Sequence, residues 1–271
     1  MSRSMKHITR NTNQFLNIVS GSADVDFVDN KMTVVVSEKD VVIEELVCNE
    51  FVEIIIELKK DASLDYIAIQ SEAGVNISRT VEVAENAAMR WFDINFSNGQ
   101  TKISTVTKLI GDGARGETYG LFFASDTDEY DVYHATEHLA SHTTSDMKVK
   151  GVVGGKGFVN YKGLIRIPEG SSGCEGYQKE DTLLLSKDAK IYAVPDLEIA
   201  NNDVTCFHGV TTTHMSQEKL FYMQSRGLDT ETAEHLVVRA HLGGVLDQLS
   251  EQKKETVLLL IDEKFGYGRE E

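Results

Sequence analysis

The chain is poor in residues that break, staple or anchor a polypeptide. It has two prolines, Pro168 and Pro195, in 271 residues. Its turns must therefore be made by glycine, of which there are 21, and by Asn, Asp and Ser. The three cysteines, Cys48, Cys174 and Cys206, form no CxxC pair. That pattern is neither a disulfide framework nor a structural zinc site, and reduced thiols suit a reducing compartment. No run approaches the ~20 apolar residues that span a bilayer, and residues 1–17 are polar where a signal peptide would be apolar. These absences predict a cytoplasmic chain. Basic residues are outnumbered, 27 Lys and Arg against 43 Asp and Glu, giving a formal charge of −16. That sign repels nucleic acid and anionic membrane alike, so proteins, cations and metals are the expected partners. Common catalytic signatures are missing too: there is no GxSxG, no HExxH and no GxGxxG after a strand. Gly151-Val-Val-Gly-Gly-Lys-Gly lacks the GKS or GKT ending of a phosphate loop and predicts a strand turn.

What is present is a long series of strand-sized apolar runs. Val34-Val-Val, Val41-Val-Ile, residues 51–58, Tyr66-Ile-Ala-Ile and residues 89–96 and 101–110 follow one another with short polar breaks. Several alternate, as Val81 and Val83 do about Glu82. Regular short strands over more than 150 residues predict a sandwich, a barrel or a β-solenoid. No strict repeat is visible. Acidic and amide turns nevertheless return between strands of similar length, at Lys60-Asp-Ala, Gly111-Asp-Gly, Lys187-Asp-Ala and Asn201-Asn-Asp, as in a stack of coils. Before the series, Ile8, Phe15, Leu16, Ile18 and Val19 make a weak helical pattern, read as a short helix or ordered arm within residues 1–30. After Thr213 the period changes. Ser216 is placed to cap a helix through Gln224, with Gly227 as its stop, and Asp229 or Thr230 starts a second helix to about residue 249. That helix carries two apolar stripes, Ala233, Leu236, Val237, Ala240 and Gly244 on one and Leu242, Val245, Leu246 and Leu249 on the other. Two apolar faces need two surfaces to cover them, one of which could be a partner. Residues 256–261 read as one more strand or a helix end. The expected organisation is an arm (1–30), a β core (31–214) and a helical domain (215–271).

Two constellations carry candidate chemistry. Cys206 and His208, two apart on a strand, leave the same face, where a thiolate and an imidazole could share a soft metal or handle a persulfide. The alternative is a buried thiol beside a hydrogen-bonded core histidine. His134, His138 and His142 recur at intervals of four, which aligns them on a helix or on one strand face, as a metal site or as an internal polar ladder.

The densest signal is a resemblance. His138-Leu-Ala-Ser-His-Thr-Thr-Ser-Asp, Gly163-Leu-Ile-Arg-Ile, Tyr177-Gln, Thr182-Leu-Leu-Leu-Ser, Leu197-Glu-Ile, Asp203-Val-Thr-Cys-Phe-His-Gly and Leu220-Phe-Tyr-Met-Gln-Ser-Arg-Gly resemble the SufB and SufD scaffold proteins of the SUF iron-sulfur cluster assembly system. The specific motifs cover roughly the C-terminal half. The resemblance implies a right-handed parallel β-helix followed by a small helical domain that docks a SufC-like ATPase, and pairing through the β-helices as a homodimer or with a SufB- or SufD-like chain. It implies a non-catalytic scaffold that binds no nucleotide itself and carries a transient iron-sulfur cluster. Cys206 and His208 look like the Cys-Ser-His-Gly positions of SufD, with Phe207 in place of serine. Glu180 stands at the position resembling SufB's cluster-associated cysteine. Glu180 and Glu198 join Cys206 and His208 as candidate iron or cluster ligands. Leu220, Phe221, Tyr222, Arg226, Leu236, Leu242 and Leu246 are the residues expected to meet the ATPase. Two other readings are a SufD-type structural partner that binds no cluster and a β-helix enzyme acting on polysaccharide.

Overall fold

The computed structural model describes residues 6–9, 16–46 and 52–265, the first four through their backbone alone. Phe15, Cys48 and Phe51 lie outside them. Among the described residues the chain forms strands β1 (Lys6–Thr9), β2 (Leu16–Ser20), β3 (Ser22–Val28), β4 (Lys31–Val36), β5 (Val41–Glu45), β6 (Val52–Leu58), β7 (Ser63–Gln70), β8 (Asn76–Val83) and β9 (Ala88–Asn95). Then follow β10 (Gln100–Leu109), β11 (Arg115–Ala124), β12 (Glu129–His138), β13 (Thr144–Val153), β14 (Phe158–Ile167), β15 (Cys174–Leu184), β16 (Lys190–Ile199) and β17 (Val204–His214). Helices α1 (Gln217–Ser225), α2 (Thr230–Leu246) and α3 (Glu251–Lys264) close the chain.

The strands form because apolar side chains recur with period two. In β6, Val52, Ile54, Ile56 and Leu58 are buried while Glu53, Ile55 and Glu57 are half-buried. From β4 onward even-numbered strands stack in one sheet and odd-numbered strands in the other, every pairing parallel. Each coil therefore gives one strand to each sheet, and the fold is a parallel β-helix with its core inside the coils. The repeat hidden from sequence is one that drifts. Register partners one coil apart are Lys31 and Glu53, then Thr101 and Tyr130, then Phe158 and Lys190, so the coil lengthens along the axis. The turns stack as well. Asp61, Asn86, Gly113, His142 and Gly173 have left-handed backbones, and each donates its N–H to a carbonyl in the next coil's turn. Asp, Asn and Gly adopt that conformation at least cost, and His142 is the exception.

Of the two alternatives for residues 1–30, a short helix or an ordered arm, the described residues form no helix: β2 pairs antiparallel with β5, and β1 and β3 run antiparallel in the β4 sheet. The reason is visible in the side chains: Leu16 and Ile18 point inward two residues apart, and Ala23 and Val25 repeat the pattern, so tertiary burial overrides a weak helical period. At the other end, residues 256–261 lie in α3, a helix and not a strand. The three helices are capped by Ser216, Asp229 and Ser250, whose side chains accept from Lys219, Thr232 and Lys253 N–H groups. α2 and α3 cover the outer face of the odd-numbered sheet, burying Phe92, Ile94, Leu121 and Phe123 beneath Val238, Leu242, Val245 and Ile261. Polar clamps fix this packing: Lys264 Nζ reaches Asp128 Oδ2 at 3.1 Å, and Lys253 Nζ reaches Glu44 Oε1 at 2.7 Å.

Covering the outer face lets the inner face turn polar. Asp93, Asn95, Thr105 and His134 point inward, and Arg79 is fully buried among them. Arg79 donates from Nε and Nη2 to both oxygens of Glu45 at 2.7 Å and from Nη1 to Asp93 Oδ1 at 3.2 Å. Tyr66 and Gln70 also donate to Glu45, while Thr105 and His134 bond Asp93. Burial alone would raise the Asp93 carboxyl, but Arg79 and His134 hold it well below the usual range. Removing the cation strands two buried carboxylates. Arg79→Leu should lower stability by about 3–5 kcal/mol, read from the urea midpoint. A loss below about 1 kcal/mol would show that the carboxylates do not depend on it.

Candidate functional site

The β-helix ends on an uncovered coil. Among the described residues β16 terminates one sheet and β17 the other, so each has one strand edge with no neighbour there. Their inward residues have no coil above them, and Ile191, Ala193, Leu197, Val204 and Cys206 remain only partly buried. In register, Cys206 lies beside Gly176 and His208 beside Gln178. The alternation thus puts Cys206 and His208 on the inner side and Phe207, 58% exposed, on the outer. Gly176 lies between the thiol and Ile165, and a Cβ there would crowd Ile165 Cγ2 at 3.0 Å while only touching Cys206 Sγ at 3.5 Å. Burial pushes the Cys206 thiol above its ordinary value.

One coil below, β15 turns Cys174, Gly176, Gln178, Glu180 and Thr182 inward, all buried. Glu180 Oε1 accepts from the Thr182 hydroxyl. Its Oε2 has no protein partner, and neither has either amide atom of Gln178. The Gln178 amide fills space left by Gly163 across the interior, where a Cβ would stand 2.0 Å from Nε2. Burial raises the Glu180 carboxyl to about 7, with Thr182 opposing the shift. Three buried polar atoms lack partners, two of them on Gln178 beside His208 and the third on Glu180, which lies in register with Val210, and they can accept a hydrogen-bonding group or a cation.

The other sequence candidates separate. Glu198 points outward, where Arg166 Nε donates to it at 2.6 Å, so it does not join Glu180. The histidine row also breaks up. His134 bonds Asp93 at 2.9 Å, and His138 bonds Thr143 and Ser145 at 2.8 Å each. Burial lowers His138 to about 4. His142 leaves the strand for a left-handed turn, its ring over Gly173. The three are members of separate polar contacts, because the interval of four runs past the end of β12. Among the described residues no group of three or more His, Cys, Asp or Glu side chains is placed to hold a metal.

The residues expected to meet a partner also divide. Leu220, Leu242 and Leu246 belong to the protein's own core. Phe221, Tyr222 and Leu236 are 71%, 59% and 42% exposed, and Arg226 lies over the Tyr222 ring at 5.3 Å. Sequence reasoning missed Gln178 and Gly163. The alternation Gly176, Gln178, Glu180, Thr182 was the available signal, once its inward phase is known.

The architecture defines a β-helix protein with a helical domain laid against its flank, and comparison with known proteins gives its family. The SUF system FeS cluster assembly SufBD core domain matches residues 10–241. An iron-sulfur cluster assembly SufBD family protein of Mycobacterium leprae is 31% identical over 201 residues, 73% of this chain and 23% of that protein. One of Staphylococcus epidermidis is 31% identical over 191 residues, 69% of this chain and 40% of its own length. The chain belongs to the SufBD family, and it spans less than half the length of these curated relatives. No helix among the described residues is long and apolar enough to cross a membrane.

The raised Glu180 carboxyl has a measurable sign. A folded-state value near 7 against the usual 4.5 means that the folded chain holds this proton more tightly. Its contribution is fully favourable below about pH 4.5, is lost as pH rises toward 7 and stays lost above that, at most about 3 kcal/mol. Glu180→Gln should therefore gain stability relative to wild type between pH 5 and pH 8 in urea unfolding. Parallel curves would mean that the carboxylate is solvated in the folded chain.

Proposed function

We propose that this chain is the scaffold subunit of a SUF-type assembly complex in the cytoplasm, pairing through its uncovered last coil and coupled to a SufC-like ATPase through its helical domain. One observation carries the reading: the last coil among the described residues holds Cys206 beside Gly176 and His208 beside the unpartnered Gln178 amide, with Glu180 and its one unpartnered oxygen two residues farther along β15. A second β-helix set against β16 and β17, from another copy or from a SufB- or SufD-like chain, would pair the strand edges and cover the half-buried apolar row. The groups beneath would then face an enclosed space. Iron and sulfide are the cargo. The Cys206 thiolate and the His208 imidazole would hold them, and the Glu180 carboxylate, which is not gathered with these two in the chain alone, would join once the second β-helix docks, a mixed set that suits a cluster released after assembly. ATP hydrolysis belongs to the partner, which the exposed Phe221 and Tyr222 of α1 and Leu236 of α2 would meet.

A second reading has its own support. Glu180 occupies the position resembling SufB's cysteine, and a carboxylate accepts no sulfane sulfur. Under that reading the chain is a SufD-type partner, and a cysteine-bearing subunit completes the site.

Anaerobic co-expression with a SufC-like ATPase, followed by absorption spectra and iron and sulfide analysis, separates the two. Wild type should carry cluster bands that Cys206→Ala and His208→Ala lose while the complex survives. A stable complex without iron in any form selects the structural-partner reading. Phe221→Ala combined with Tyr222→Ala should reduce ATPase co-purification at least tenfold, and undiminished recovery would place the docking surface elsewhere.

A further inference from the structure

The helical domain meets the β-helix mainly through apolar contacts, which are non-directional and do not dictate which backbone atom faces which. Beside the Lys264 and Lys253 clamps of α3, α2 makes a polar contact that does. His241, beside Leu242 on the buried side of α2, directs Nε2 at two backbone carbonyls, Gly151 O of β13 and Asp181 O of β15, each 3.1 Å away. Carbonyls only accept, so this nitrogen carries the proton and donates to both. Burial, and then the Lys150 ammonium, lowers the pKa of the ring and keeps it neutral.

The two residues held by His241 also flank the candidate carboxylate. Asp181 follows Glu180 directly and precedes Thr182, whose hydroxyl donates to Glu180 Oε1. Gly151 packs against that hydroxyl, since a Cβ at Gly151 would stand 2.4 Å from Thr182 Oγ1. On the outer side, Lys150 Nζ and Asp181 Oδ2 at 2.5 Å tie the same two strands. From α2 to the carboxylate the route is thus one imidazole, one peptide and one hydroxyl. At its other end α2 is joined to α3 by His235 Nε2 and Asp262 Oδ1 at 2.6 Å and to α1 by Gln224 Nε2 and Thr230 Oγ1 at 2.8 Å.

We propose that His241 is a positioning residue, the joint through which displacement of α2 shifts the β13 and β15 carbonyls and, by way of Thr182, resets Glu180. The source of that displacement, a protein docked on α1 and the outer face of α2, rests on the function proposed above. The joint itself rests on the geometry alone. Apolar neighbours such as Val238 and Val245 can slide by fractions of a side chain without changing partners, whereas a bifurcated hydrogen bond cannot.

Amide hydrogen exchange with mass spectrometry tests it, using wild type, His241→Gln, which keeps an N–H donor, and His241→Phe, which fills the space without one. In the chain alone, peptides covering residues 150–153 and 180–184 should exchange about tenfold faster in His241→Phe and near the wild-type rate in His241→Gln. Circular dichroism and unchanged exchange across β6 to β9 would report an intact fold. Equal rates in all three proteins overturn the joint. In complex with a SufC-like ATPase, adding a non-hydrolysable ATP analogue should change exchange in 180–184 for wild type and His241→Gln but not for His241→Phe, with all three still bound. An undiminished response in His241→Phe also overturns it. Failure of every form to bind the ATPase rejects the proposed docking instead and leaves the chain-alone comparison to decide the joint.

Discussion

Backbone pairing between successive coils is the constraint on which the rest of the structure depends. A strand inside a parallel stack has both rows of N–H and C=O groups satisfied by neighbours, and a strand at the end has one row without partners. At the N-terminal end the chain deals with this by adding antiparallel strands to both sheets. Among the described residues no further strand follows β17, and the chain turns away into helices that cover a flank and not the last coil. The uncovered strand edges and the half-exposed inner row follow from that one change of direction. So does the access to Cys206 and His208.

The interior shows the same chemistry in two states. Glu45 and Glu180 are both buried carboxylates, but Glu45 receives two N–H groups from Arg79 with Tyr66 and Gln70, whereas Glu180 has the Thr182 hydroxyl alone. The first belongs to a polar network that runs from β5 to β12 and gives both Glu45 oxygens partners, where an unmatched charge would be expensive. The second sits one coil from the open end with an orphan oxygen, and the orphan Gln178 amide lies two residues before it on the same strand. A polar group left short of partners inside a protein marks a place where something else completes the set.

Much of this was legible in the residues. Strand-length runs with returning Asp, Asn and Gly turns indicate a coil stack, and Ser216, Asp229 and Gly227 mark helix ends because capping chemistry is local. What escaped was whatever depends on phase or on distant packing. In Trp91-Phe-Asp-Ile-Asn-Phe the apolar residues Phe92, Ile94 and Phe96 face out under the helices and Asp93 and Asn95 face in. Period two is plain there, but which set is inside depends on a helix 140 residues later in the chain. The histidine interval failed for a related reason, since the strand ends at His138 and the turn begins. Glu198 looked equivalent to Glu180 until register placed them on opposite sides of the wall.

The drifting repeat has a geometric outcome. Coils that lengthen along the axis make a taper and not a cylinder, and the strands grow with them, from six residues in β4 to eleven in β17. The narrow end is the one edged by antiparallel strands. The broad end is the mouth, so among the described residues the longest coil coincides with the uncovered rim. The chain has the form of a funnel.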